Sequence, residues 1–210
     1  MGTKGVIRMK VLNIKNRRRS AQSGFTIIEL VVVILLLGIL TATALPRFMD
    51  VTDEAHTVVI AAVAGGLGTG MALFHAQWIG EGQGTTNIGY GAGTSDASTE
   101  GYPIGFTDDD AVLNDSNDCV EVFDGVLQAG RPVATVGAQA GVATVQGDIT
   151  GAAAYNTSDF IAIWDDGDPD DSICEFFYVA QKISAATIPV IIYDHNDGSV
   201  VIGSSGLVFP

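Results

Sequence analysis

Basic residues are scarce in this sequence and unevenly placed. Its 210 residues contain ten Lys and Arg against 24 Asp and Glu, and seven of the ten basic residues lie within residues 1–24, which contain no acidic residue. Residues 25–210 keep three basic and 24 acidic residues, a formal charge of −21. This argues against nucleic-acid binding, which requires a basic surface that neutralises phosphates. It predicts instead a surface suited to salty or cation-rich water.

Residue combinations typical of catalysis are also missing. No sequence pattern ties the three histidines, His56, His75 and His195, to a nucleophile, so we predict that the chain is not an enzyme. No Cys-x-x-Cys-His motif occurs, which excludes covalently bound haem.

The main apolar segment covers residues 25–45 and contains a single charged residue, Glu29. As a helix that rises about 1.5 Å per residue, this segment is long enough to cross a hydrocarbon core of roughly 30 Å. Basic residues ahead of a single span hold that end in the cytoplasm. The acidic remainder of the chain is therefore predicted to lie outside the cytoplasm.

Glu29 is an unfavourable residue for such a segment, since a carboxylate costs about 2.5–3.5 kcal/mol at the centre of a membrane and less near its surface. We therefore expect Glu29 to be paired or functional. If the chain is cut after Gly24, the new α-amine of Phe25 lies about one helical turn from Glu29. An amine on one copy can then meet the carboxylate of its neighbour.

The order of these features resembles the cleavage and assembly signature of type IV prepilins. That signature has a basic leader ending in glycine, here Gly24, then Phe25-Thr26-x-x-Glu29, then an apolar helix. Residues 43–55, TALPRFMDVTDEA, look most like the mannose-sensitive haemagglutinin branch of the family and its major subunit. The resemblance implies that a prepilin peptidase cuts between Gly24 and Phe25 and methylates the new amine.

The same resemblance implies a place and a partner. The precursor would be a single-pass protein of the inner membrane, and the inner-membrane assembly machinery would extract it into an extracellular pilus, a helical homo-oligomer that attaches to surfaces or cells. Two alternatives stay open, a pseudopilin of a type II secretion system and an enzyme anchored by an uncleaved span. The receptor, and whether the chain starts at Met1 or Met9, also stay open.

The predicted fold class is α+β, with one long helix packed on an antiparallel sheet, as in type IV pilins. We divide the chain into a removed leader (1–24), a long helix (25–79) whose residues 25–45 form the membrane span and filament core, and a globular head (80–210). The helix should continue through Pro46 with an amphipathic second half and end at Gly80.

Within the head, residues 80–107 are predicted to be a surface loop, because they are rich in Gly, Ser and Thr. A short helix is predicted over residues 118–129, capped by Asp115, Ser116 or Asn117. Pro189 suggests that its strand lies at an edge of the sheet. The predicted strands cover 160–164, 173–179, 188–193 and 199–202.

Two further sites are predicted in the head. Cys119 and Cys174 would form a disulfide outside the cytoplasm, the alternative being two buried free thiols. Asp166, Asp168 and Asp170 belong to an acidic turn, residues 165–171, that a calcium ion would relieve of charge repulsion. The competing interpretation is a solvated acidic turn that binds no metal.

Overall fold

A computed structural model describes residues 24–91, 93–106, 112–128, 130–137, 157–165, 173–181 and 187–208. The chain divides into two compact units, Met1–Arg47 and Phe48–Pro210. One helix, α1, runs over Ile27–Gly80 and therefore belongs to both units. It contains Pro46 and ends at the glycine that the sequence predicts.

Within the second unit, α1 buries one face at helical spacing and packs its glycines against neighbouring elements. A Cβ added to Gly70 would lie 2.2 Å from Cγ1 of Val126, and one added to Gly66 would lie 3.0 Å from Cδ2 of Leu127. These glycines let a second helix approach closely, which offsets their low helix propensity. The buried residues on this face of α1 are Ile60, Val63, Ala64, Leu67, Met71, Phe74 and Trp78.

That second helix, α2, covers Ser116–Leu127, and its cap is Asp115. Oδ1 of Asp115 accepts from the backbone N–H groups of Asn117 and Asp118, at 2.6 and 3.1 Å, and Oδ2 of Asp118 accepts from the N–H of Asp115 at 3.1 Å. This reciprocal capping box is why the helix begins two residues before its predicted start.

Among the described residues, the main sheet has five strands, which follow one another in the sheet as they do in the chain. They are Ala134–Val136 (β4), Phe160–Asp165 (β5), Ile173–Tyr178 (β6), Thr187–Asp194 (β7) and Val200–Val208 (β8). All neighbouring pairs are antiparallel except β4, which runs parallel to β5. The prediction of an antiparallel sheet therefore holds for β5 to β8.

The prediction that Pro189 marks an edge strand is wrong, because β7 lies between β6 and β8. The register of β7 against β8 shifts between Thr187 and Pro189. Such an irregularity accommodates a residue that has no N–H to donate to the ladder.

Both faces of this sheet are apolar. One face packs against α1 and α2 through residues such as Phe160, Phe176 and Tyr193. The opposite face carries a second buried cluster that includes Ile161, Phe177 and Val190. A disulfide joins α2 to the sheet through Cys119 and Cys174, whose Cα atoms are 5.4 Å apart, as the oxidising location predicts.

The predicted loop over residues 80–107 is wrong for much of its length. Residues Ile88–Tyr90 (β1), Gly93–Ala97 (β2) and Pro103–Gly105 (β3) form a small antiparallel sheet in that order. It packs on the last turns of α1, where Phe74 and Trp78 form a cluster with Ile88 and Ala97.

Candidate functional site

The start of α1 is a capping box built from Thr26 and Glu29. Oγ1 of Thr26 accepts from the backbone N–H of Glu29 at 3.3 Å, and Oε2 of Glu29 accepts from the backbone N–H of Thr26 at 2.9 Å. The Thr26 hydroxyl also donates to the same Oε2 at 2.8 Å. The pair supplies partners for N–H groups that the first turn of a helix leaves unpaired. Sequence reasoning missed this role, although the Thr-x-x-Glu spacing is its signature.

These hydrogen bonds leave part of the Glu29 carboxylate for another partner. All of those described for its side chain fall on Oε2, and none on Oε1. The carboxylate lies on a helix end that is exposed in the single chain, so a cation from a second molecule can reach it. The capping role and an intermolecular ion pair are therefore compatible.

Gly24 and Phe25 precede the helix, in backbone that is not helical. An added Cβ on Gly24 would find no atom within 4 Å, so packing against the described residues does not explain the glycine. The Phe25 side chain is 92% exposed. The peptide bond between the two residues is thus accessible with respect to the residues that the structure describes.

The segment that follows is apolar and exposed. Its large side chains from Ile27 to Leu45 are all at least 46% exposed, the lowest value being that of Val31. Surface of this kind is stable only when it is covered by lipid or by other protein. Among the residues that the structure describes, α1 is the one helix long and apolar enough to cross a membrane.

The two hydroxyl groups within this segment bond to their own helix. Thr41 Oγ1 donates to the carbonyl of Leu37 at 2.9 Å, and Thr43 Oγ1 donates to the carbonyl of Leu40 at 3.0 Å. Both donors are satisfied without water, so neither hinders burial in an apolar environment.

The three histidines all belong to the second unit, in separate places. Nδ1 of His56 lies 2.7 Å from the hydroxyl of Tyr178. His75 stacks against both Trp78 and Tyr102, with ring centroids 5.3 and 4.7 Å away, and the His195 carbonyl accepts from Ser98 Oγ at 3.0 Å. The three histidines therefore do not come together to form a common site.

The predicted calcium ligands Asp166, Asp168 and Asp170 lie outside the described residues, so the site stays a prediction. Within the ranges that are described, no three His, Cys, Asp or Glu side chains group in a way that could hold a metal ion.

Glu175 on β6 is an acidic residue that sequence reasoning passed over. It lies between Ile163 and Ile192, its neighbours on the adjacent strands, on the second apolar face of the sheet. Burial, followed by the nearby charge of Asp165, raises the pKa of Glu175 from 4.5 to about 7. The alternation of buried and exposed residues along a strand gave no signal for it, because both faces of this sheet are apolar.

Comparison with known proteins identifies the N-terminal segment. The family profile "Prokaryotic N-terminal methylation motif" matches residues 19–45. The major component of the type IV narrow pilus of Thermus thermophilus, PilA5, is 44% identical over 54 residues, which are 26% of this chain and 47% of that protein. The type IV major alpha-pilin of Moraxella bovis is 35% identical over 85 residues, 39% of this chain and 54% of that protein.

A secretion protein matches over a shorter stretch. The type II secretion system core protein G of Pseudomonas aeruginosa is 48% identical over 42 residues, 20% of this chain and 30% of that protein. The matches thus span about half the length of these relatives or less, and no solved structure matches the chain.

The capped apolar helix and the matching profile define the chain as one that carries the prokaryotic N-terminal methylation motif. Two of its relatives are type IV pilins, each matched over part of its length, and the α+β fold of the chain is pilin-like. The mannose-sensitive haemagglutinin branch is not identified by these relatives.

Proposed function

We propose that the chain is a structural subunit of a type IV pilus, held in the inner membrane as a precursor and assembled into an extracellular filament. One observation carries this proposal, the exposed apolar half of α1 directly after the accessible Gly24–Phe25 bond. A helix with such a surface needs a lipid or protein environment, and a bundle of copies provides one. Burial of each large apolar side chain contributes about 1.5–3 kcal/mol.

Processing supplies the partner of Glu29. Cleavage between Gly24 and Phe25 removes the basic leader and creates an α-amine at Phe25, which the peptidase methylates. In a water-free bundle an unpaired carboxylate is penalised by several kcal/mol, so the amine of one copy pairs with Glu29 of its neighbour. This ion pair fixes the register between copies, while Thr26 continues to cap the helix.

A second candidate, a pseudopilin of a type II secretion system, is favoured by the match to core protein G. That match covers only 42 residues, 20% of this chain. Recovery of long fibres from the cell surface supports the pilin, and a protein that is processed but never forms surface fibres supports the pseudopilin.

In the filament, the acidic heads would contact surfaces or other cells. The mannose-sensitive haemagglutinin branch remains our specific assignment within the family.

The N-terminus of the protein recovered from the cell surface tests the proposal. Mass spectrometry should find methylated Phe25 as the first residue, in protein that sediments as fibres. Protein that begins at Met1 or Met9 and dissolves without detergent would overturn it.

Glu29→Gln tests the ion pair separately, because glutamine keeps an oxygen that can cap Thr26 but has no charge. We expect normal cleavage and a severe loss of surface fibres, counted by electron microscopy. The control is Thr26→Ala, which removes the hydroxyl of the cap but keeps the charge; it should cost about 1 kcal/mol of helix stability and leave assembly largely intact. Normal fibres from Glu29→Gln would show that Glu29 acts as a cap alone.

A further inference from the structure

Strand β8 is a long strand at one edge of the main sheet. It covers Val200–Val208, and among the described strands it pairs with β7 alone. The opposite edge is formed by β4, which is three residues long. An edge strand has a row of backbone N–H and C=O groups that point away from the sheet. Along its nine residues, β8 therefore offers one side of its backbone to a further strand.

β8 lacks the features by which proteins protect an edge strand from other chains. Charged side chains, proline and short length serve this purpose. Residues 198–210 contain no Asp, Glu, Lys or Arg, and their one proline, Pro210, follows the strand. The chain has 24 acidic residues, and all of them lie before this stretch. The edge of the sheet is thus an uncharged region of a strongly acidic protein.

Both apolar faces of the sheet reach this edge. Ile202 lies opposite Ile191, a core residue on the face that packs against α1 and α2. Val201 lies opposite Ile192, which packs against the cluster on the other face. Nevertheless, Ile202 is 53% exposed and Val201 is 51% exposed. A strand placed beside β8 would cover both side chains, and the strand that fits is uncharged and apolar on both faces.

β8 itself has these properties, and two β8 strands can form a regular antiparallel ladder because each presents the same backbone groups in the opposite direction. Two copies that each carry a formal charge of −21 over residues 25–210 repel each other, so an uncharged edge is where they approach at the lowest electrostatic cost. We propose that β8 pairs antiparallel with β8 of a second copy across a two-fold axis. If all nine residues pair, the middle residue, Ser204, lies opposite Ser204 of the second copy.

The symmetry of this contact decides which copies it joins, and this step rests on the proposed function. Copies along one filament contact each other through two different faces, which is how open helical assemblies arise. β8 against β8 uses the same face on both copies. The pair therefore joins copies of two filaments that lie side by side. Many such contacts along a filament act together, so each can be weak.

A disulfide between copies tests this pairing in fibres. Ser204→Cys places a thiol on the exposed middle of β8, and the two native cysteines are already joined to each other. Directly opposite residues of antiparallel strands have Cβ atoms about 4.5–5.5 Å apart, so mild oxidation should link two copies. We expect a band of twice the subunit mass on a non-reducing gel, which is lost on reduction. The matched control Thr99→Cys lies on an exposed turn of the head and should stay monomeric.

Charge at the same position distinguishes pairing of β8 with itself from other kinds of association. Across the two-fold axis each copy faces an identical residue, so Ser204→Glu and Ser204→Lys each place like charges opposite one another, which destabilises the pair. We expect both variants to form fibres that no longer associate side by side, as seen by electron microscopy. A mixture of Ser204→Glu fibres with Ser204→Lys fibres should associate again, because opposite charges then meet. Thr99→Glu adds a charge outside β8 and should leave association unchanged.

Each other result counts against the pairing. Equal cross-linking of Thr99→Cys and Ser204→Cys, or association that persists in both charged variants, overturns it and leaves the pilus subunit standing. Unmodified fibres that stay single also overturn it. Association that both charges abolish and mixing does not restore assigns the edge to a different partner.

Two further controls keep the test decisive. If a charge at position 204 prevents fibre formation, Val201→Glu and Val201→Lys repeat the comparison within the same strand. Absence of fibres from the unmodified protein overturns the proposed function and this contact with it.

Discussion

Among single residues, Glu175 shows most directly how the surroundings of a side chain change its pKa. A glutamate in a strand is normally expected on the solvent side of a sheet. Here it lies between Ile163 and Ile192, and burial raises its pKa to about 7. The carboxyl group is therefore half protonated near neutral pH in the folded protein.

The raised pKa of Glu175 makes the free energy of unfolding fall as the pH rises. In the unfolded chain a glutamate titrates near 4.5, so between about pH 4.5 and 7 the unfolded state loses the Glu175 proton more readily than the folded state does. The contribution of Glu175 is fully present below pH 4.5 and is lost as the pH passes through 7. We expect Glu175→Gln to raise the melting temperature relative to the parent at pH 8 and to change it little at pH 4.5, measured by circular dichroism.

The matched control is Glu100→Gln, because Glu100 is exposed on a turn. It should leave the difference between the two pH values unchanged. The explanation fails if Glu175→Gln retains the full pH dependence of the parent.

Other residue roles were predictable to different degrees. The pairing of Cys119 with Cys174 could be predicted, because a chain with two cysteines in an oxidising compartment is expected to join them in a disulfide. It could not be predicted that Asp115 caps α2 and not Ser116 or Asn117, because all three residue types cap helices well. It depends on Asp118, whose side chain completes the capping box.

Among the elements, α1 and the long strands could be predicted because they rest on long, repeated patterns. The sheet β1–β3 could not, since its strands are three to five residues long and contain Gly, Ser, Thr and Asp. Tertiary contacts hold it instead. Nε1 of Trp78 donates to the Gly84 carbonyl at 2.6 Å, and Ser95 Oγ donates to the Gly105 carbonyl at 2.6 Å.

The contact between α1 and α2 gives a test of why the helix contains so many glycines. In Gly70→Ala the added Cβ would lie 2.2 Å from Val126 Cγ1, which forces the helices apart. We expect a loss of about 1–3 kcal/mol in the free energy of unfolding, measured by denaturant titration in detergent.

Gly65→Ala is the control on the same helix, because an added Cβ there meets no atom within 4 Å. It should stabilise the subunit by up to about 1 kcal/mol through helix propensity alone. Equal effects of the two substitutions would contradict the account of close packing at Gly70.

For the whole molecule, the dominant property is charge. Residues 25–210 carry three basic and 24 acidic residues, and one of the three basic residues, Arg131, already forms an ion pair with Asp124 at 2.6 Å. If copies pack in the proposed filament, repulsion between their acidic heads depends on salt, because the Debye length is about 10 Å at 0.1 M salt and about 30 Å at 0.01 M.

If the chain forms fibres, they should weaken as salt is removed. We expect the fraction of protein that sediments as fibres to fall between 0.1 M and 0.01 M sodium chloride, since screening of the acidic heads is lost over that range. Sucrose at matched osmolarity, which does not screen charge, should fail to restore sedimentation. Fibres that are indifferent to salt would indicate that the heads stand too far apart to repel one another.

The helix begins at Ile27 and its cap is Thr26, so the bond proposed for cleavage lies in non-helical backbone just before it. A protease that cuts this bond would not need to unwind any turn of α1. The proposed cut would change the charge of this end, because it removes a segment with seven basic side chains and leaves one ammonium group at Phe25. Maturation would then make the subunit competent for assembly by changing its charge, without a change in the conformation of α1.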